Sequence, residues 1–175
     1  MMPTNIKIIC WIFFSIILIF SFWYKNTARQ RRHKRKQKSA KTVLERLSGI
    51  SEFSQKIAYL RKIDPFVFEE LLLEAFERRG YQVIRNKKYT GDGGVDGKVI
   101  MHGETLLIQA KRYRGFISLQ HVYDFESLCE RNQCKGIFCH TGKTRPELLK
   151  NMNNSKRLIL ISGKKLIQLL TVKPE

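Results

Sequence analysis

An uncharged apolar run from Ile8 to Tyr24 meets, with no linker between them, a segment too basic to share a core with it. That junction divides the 175-residue chain before any other feature is considered. The run is seventeen residues long and broken only by Ser15 and Ser21, the lower limit for a helix crossing the ~30 Å hydrocarbon layer. Trp11, Trp23 and Tyr24 stand near its ends, where aromatic side chains favour the membrane interface. A cleaved signal peptide fits less well. Its n-region would hold only Lys7, the apolar stretch is long, and no small-x-small site precedes the basic block. A buried core helix fits less well still, because no partner helix of similar apolarity follows. The expectation is one transmembrane helix over residues 6–24.

Between Lys25 and Lys41 there are nine Lys or Arg and no acid, so half of the net charge of +18 sits in one short stem. Residues 25–44 form this juxtamembrane stem. Positive residues stay on the cytoplasmic side, which predicts a single-pass protein of the cell membrane with residues 45–175 as a cytoplasmic domain. Contact with anionic lipid is the plain role of the stem, and a DNA-tethering arm is the second. Thr42 to Glu175 keeps a surplus of positive charge, which suits a polyanionic partner. Cys129, Cys134 and Cys139 crowd together, yet their even spacing lacks the paired close ligands of a structural zinc site. Buried reduced thiols are the better reading.

The cytoplasmic part alternates helix and strand. Thr42 to Ile63 predicts one or two amphipathic helices broken near Gly49. Asp64 and Pro65 open a helix that stops at Gly80. Strands follow over Tyr81–Arg85, Val95–Met101 and Thr105–Arg112, the last two joined by a tight turn at His102, Gly103 and Glu104. Then come a helix over Leu119–Arg131, a strand over Gly136–His140, a helix from Pro146 to about Asn151, a strand over Leu158–Ser162 and a helix over Lys164–Leu170. This order predicts an α/β fold, a mixed sheet between helices.

Chemistry concentrates in Gly91-Asp92-Gly93-Gly94-Val95-Asp96 and Gln109-Ala110-Lys111. Period two puts Gln109 and Lys111 on one face of their strand, and a hairpin centred on residue 103 puts Asp96 across from the Gln109 to Lys111 region. Such a set can hold a divalent metal and activate water against a phosphodiester. An amphipathic strand with a wet face is the competing reading. Asp92 is assigned to the turn, and the glycines to positive φ or close approach. On the preceding helix, Phe68, Leu71, Leu72, Ala75 and Phe76 mark the buried face. Glu70 and Glu74 are expected to be solvated, whereas Glu69 borders the apolar face and needs a partner.

Phe68-Glu69, Gly80-Tyr81, the Gly91–Asp96 segment and Gln109-Ala110-Lys111 together resemble the catalytic domain of Mrr-like type IV restriction endonucleases, of the PD-(D/E)xK nuclease superfamily. The likeness continues through Gly136-Ile137-Phe138 and Thr141-Gly142 to Leu160-Ile161-Ser162-Gly163. The resemblance implies a restriction-endonuclease-like fold with Glu69, Asp96, Gln109 and Lys111 in the active site. Gln109 stands where the wider superfamily has an acid, although the Mrr-like branch resembles this Q-x-K form. Cys139-His140-Thr141 departs from the family's Val-Thr.

The implied chemistry is a metal-dependent endodeoxyribonuclease. Asp96, the Gln109 amide oxygen and the Ala110 carbonyl would hold one Mg²⁺, which polarises the phosphate and lowers the pKa of a bound water. Lys111 would orient or deprotonate that water, and Glu69 would steady its shell. Arg112 and Arg114 would contact DNA phosphates. Expected partners are DNA, the membrane through the N-terminal helix, and a second copy of the chain as a homodimer. The role would be restriction of foreign DNA. The alternatives are a non-catalytic, membrane-tethered DNA-binding module of the same fold and a structure-preferring nuclease of DNA repair. A membrane scaffold whose stem recruits partners is a further rival.

Overall fold

The computed structural model describes residues 4–86 and 94–171. The chain forms two compact units, Met1–Lys36 and Gln37–Glu175.

The first unit is helical and belongs to α1 (Thr4–Gly49). Trp11, Phe13, Phe14, Ile16, Ile17, Leu18 and Phe20 are all exposed on it. The transmembrane helix expected over residues 6–24 is not supported. Among the described residues no helix is long and apolar enough to cross a membrane. Seventeen uncharged residues sit at the physical minimum for a span, and part of that run (Ile8–Cys10, Ile12, Ile19 and 21–24) has side chains outside those described. Residues 25–44, expected as a juxtamembrane stem, lie within the same helix.

The second unit is a three-layer α/β sandwich. After the end of α1 come α2 (Phe53–Leu60), α3 (Pro65–Arg78), β1 (Gln82–Arg85), β2 (Gly97–Met101), β3 (Glu104–Lys111), α4 (Leu119–Arg131), β4 (Lys135–His140), α5 (Pro146–Asn154), β5 (Leu158–Ser162) and α6 (Gly163–Thr171). The strands lie in the order β1-β2-β3-β4-β5. The first three pair antiparallel, and β3, β4 and β5 pair parallel. Short turns allow the antiparallel half; a helix must carry the chain across each parallel step. The mixed sheet expected from the sequence is therefore present.

Local sequence explains the borders. The Asp64 carboxylate accepts from the Phe66 and Val67 amides at 2.9 and 3.2 Å, with Pro65 at the first helical position. Gly80, at φ +80°, ends α3. His102 and Gly103, both at positive φ, close the β2–β3 hairpin, with Met101 facing Glu104.

Alternation along β3 divides the core. Leu106, Ile108 and Ala110 enter one apolar cluster with Ala40, Leu44 and Leu47 of α1 and residues of α2, α3 and α6. Leu107 enters the other, with Phe125 of α4, Phe138 of β4 and Leu148 of α5. β3 is the central strand, and its carboxyl end projects between the two helical layers.

Helix α3 is buried almost all round, from Val67 to Phe76 apart from Glu69. This corrects the expectation that Glu70 and Glu74 are solvated. Both are buried, and Arg85 of β1 lies within 3.1 Å of Glu70 and 3.8 Å of Glu74. Arg78 and Lys41 add to Glu74, and Glu77 closes on Arg85 at 2.7 Å. The 3.6-residue pattern reported the apolar stripe but not the cation arriving from a strand.

Candidate active site

The hairpin pairs about a point between His102 and Gly103, half a residue from the centre read in the sequence. β2 begins at Gly97, so Asp96 stands just before the strand, beside the end of β3. Its amide donates to the Ile108 carbonyl at 2.8 Å, and its carboxylate Oδ2 accepts from the Ala110 amide at 2.6 Å. Asp96 thus brackets Gln109 with one backbone and one side-chain contact.

Gln109 is buried, facing the side of the sheet that α4 covers. Its Nε2 donates to the Gly94 carbonyl at 2.6 Å. That contact fixes the amide orientation, because the reverse placement would set oxygen against oxygen. The other end, Oε1, is buried and has no hydrogen-bond partner among the described residues. A buried acceptor left so costs free energy and calls for a cation or a water. Gly94 is held at φ +89°, and a Cβ there would lie 2.9 Å from Gln109 Nε2. The last glycine of the motif is therefore a steric requirement of the Gln109 pose. Gly91, Asp92 and Gly93 lie outside the described residues.

Lys111 ends β3, half-buried, on the same face as Gln109 and in register with His140 of β4. Its ammonium makes no ion pair among the described residues. Glu69 is half-buried on α3, whose apolar residues share a cluster with Ala110 and Cys139. Asp96 is felt in that cluster too. Burial pushes the Cys139 thiol up, and the Asp96 carboxylate pushes it further. The structure thus sets Asp96, just before β2, against the Ile108–Ala110 stretch of β3 that carries Gln109, with Lys111 two residues on and Glu69 on α3.

Among the described residues no group of three or more His, Cys, Asp or Glu side chains is arranged to hold a metal ion. The zinc reading of the cysteines ends there, with Cys129, Cys134 and Cys139 as free thiols. A cation at the end of β3 relies instead on one carboxylate, one amide oxygen and backbone. All are hard oxygen donors, and the orphaned Gln109 Oε1 is the observation that makes the set fit.

The two arginines differ. Arg114 is exposed. Arg112 is half-buried and donates through Nη1 to the carbonyls of Arg61, at 3.2 Å, and Ile63, which commits it to holding the α2–α3 connection. Arg61 in turn donates twice to the Thr141 carbonyl, at 2.8 and 3.0 Å. Sequence reasoning missed this clamp because it joins residues eighty positions apart. His140, noted only as a departure, is fully buried; burial lowers its imidazole to about 4, so it is neutral near pH 7. Its Nε2 lies 3.2 Å from Thr144 Oγ1.

Residues 60–170 match the model of the Mrr catalytic-domain family, described as restriction endonuclease. No curated protein and no solved structure matches the chain.

Proposed function

Since the chain belongs to the Mrr-type restriction endonuclease family, we propose that it is a Mg²⁺-dependent DNA endonuclease of restriction, cutting phosphodiester bonds at the carboxyl end of β3. The family supports a nuclease with DNA as substrate. The observation carrying the finer reading is the buried Gln109 Oε1, without a hydrogen-bond partner among the described residues, next in sequence to the Ala110 amide that the Asp96 carboxylate holds. Asp96, Gln109 Oε1 and the Ala110 carbonyl would hold the ion. When bound, Mg²⁺ would polarise the scissile phosphate and acidify a water.

The remaining work belongs to the chain. Lys111, without an ion pair among the described residues, orients the attacking water, accepts its proton when deprotonated, and otherwise offsets charge on the phosphate. Glu69, entering from the α3 side, steadies the water shell. Gly94 locks the Gln109 amide so that its oxygen, not its nitrogen, is left for the cation. A neutral amide in place of a carboxylate gives the site weaker metal affinity than an acid would. Arg114 supplies a phosphate contact that positions without specifying sequence.

The first unit is read as a membrane tether. Seven large apolar side chains, Trp11 to Phe20, stand exposed ahead of a run of Lys and Arg, a combination that favours an anionic membrane surface. It would keep the nuclease unit in the cytoplasm.

The test is incubation of the full chain with supercoiled plasmid, with Mg²⁺ and with EDTA. Nicking that EDTA abolishes supports the reading. DNA binding without cutting at any divalent metal would leave a non-catalytic binding module. Retention of the chain in membranes after an alkaline carbonate wash tests the tether, and light scattering on the same preparation tests the homodimer expectation.

A further inference from the structure

Two loops leave the carboxyl ends of the adjacent strands β3 and β4, directly beyond Lys111 and His140. They pair with each other. Phe116 and Lys143 form a parallel bridge, Ile117 N donates to Lys143 O at 3.0 Å, and Lys143 N donates to Gly115 O at 2.8 Å. Thr141 Oγ1 accepts from the Tyr113 amide and donates to the Tyr113 carbonyl, both at 3.0 Å. Gly142 is packed so closely that a Cβ would lie 2.7 Å from Tyr113 Cβ and 2.8 Å from Gly115 O. The loops are therefore one preformed strap that extends the sheet past the candidate site.

The strap buries Ile117 and turns Phe116 outward, 56% exposed, with the Arg145 guanidinium 5.5 Å from its ring centre. Arg114, Lys143 and Arg145 are exposed around it, and neither 112–118 nor 141–146 contains an acid. A single exposed Phe on a protein surface is ordinary. An exposed Phe on a hydrogen-bonded, wholly basic strap next to a nuclease site is a combination that single-strand-binding surfaces use: cations along the backbone and an aromatic face for a base.

We infer that Phe116 is a stacking platform for an unpaired base of DNA, whose flanking phosphates Arg114, Lys143 and Arg145 hold. The inference rests on the nuclease reading above and narrows its substrate class to DNA carrying unpaired nucleotides, as at branches, gaps or flaps.

The experiment measures binding of the full chain, by fluorescence anisotropy at one salt concentration, to a single-stranded oligonucleotide, a branched one with unpaired bases, and a fully paired duplex. Phe116→Ala is expected to weaken the first two about tenfold and to leave the duplex within about twofold. Phe116→Trp is expected to keep wild-type affinity, with its indole emission quenched by the unpaired strands. Equal binding of unpaired strands by wild type and Phe116→Ala overturns the inference, as does equal weakening on all three ligands; both leave the nuclease reading standing if the plasmid is still cut. If wild type binds none of the DNAs but binds phosphatidylserine vesicles through Phe116, the inference and the nuclease reading fail together.

Discussion

Gly94 and Gln109 form the smallest unit of the site, since each constrains the other. Gly94→Ala would impose a Cβ 2.9 Å from the amide at a φ of +89°. The backbone strain alone is worth about 1–2 kcal/mol. Moving Gln109 should lower plasmid cleavage about a hundredfold, because small displacements of positioned groups are amplified in rate. Gln109→Glu asks a complementary question. A carboxylate oxygen would face the Gly94 carbonyl, so the metal-free variant should lose about 1–3 kcal/mol of stability. Added Mg²⁺ should then raise its melting temperature more than it raises that of wild type, as read by thermal shift. At this scale the sequence was informative about identity, because Asp96, Gln109 and Lys111 share a strand and a turn. It did not report that Arg112 is committed to the Arg61 and Ile63 carbonyls, which depends on a segment about fifty residues earlier.

Among the elements, α3 and β4 carry the stability arguments. Arg85 lies 3.1 Å from the buried Glu70 carboxylate and 3.8 Å from the buried Glu74 carboxylate, so Arg85→Ala removes a cation that both share. A loss of about 3–5 kcal/mol is expected in urea unfolding. Glu77→Gln should cost under about 1 kcal/mol, since Glu77 is half exposed although the Arg85 hydrogen bond lowers its carboxyl. On β4, burial lowers His140 to about 4, below the ordinary value of about 6.5 that it regains on unfolding. The unfolded chain therefore binds the proton first as pH falls. Stability is complete above about pH 6.5 and declines toward pH 4, by about 2 kcal/mol at pH 5. Replacing His140 with Asn should flatten unfolding free energy between pH 7 and pH 5 in that window. The element borders were legible, as Asp64-Pro65, Gly80 and the His102-Gly103 turn show, because capping and turn chemistry are local. The Glu70–Arg85 pairing was not, because a helix pattern carries no record of the strand that packs beside it.

For the molecule as a whole, the sequence revealed a basic α/β nuclease unit and an apolar N-terminal segment. The mixed sheet flanked by helices followed from the alternation of strands and helices. Two features required three dimensions. The stem proved helical, which its charge pattern did not specify. Helix α3 proved to share a core cluster with Ala110 of β3, which helix periodicity cannot say because it does not fix the face on which a helix docks. Hydrolysis of DNA at the end of β3 is tested most directly at Lys111, whose ammonium stands without an ion pair among the described residues. The decisive measurement is plasmid cleavage by the full chain in Mg²⁺, wild type against Lys111→Ala, with DNA affinity measured alongside. Wild type is expected to nick the plasmid, and the variant to lose at least about a hundredfold in rate with DNA binding retained. Cleavage by Lys111→Ala at the wild-type rate would contradict hydrolysis at the end of β3.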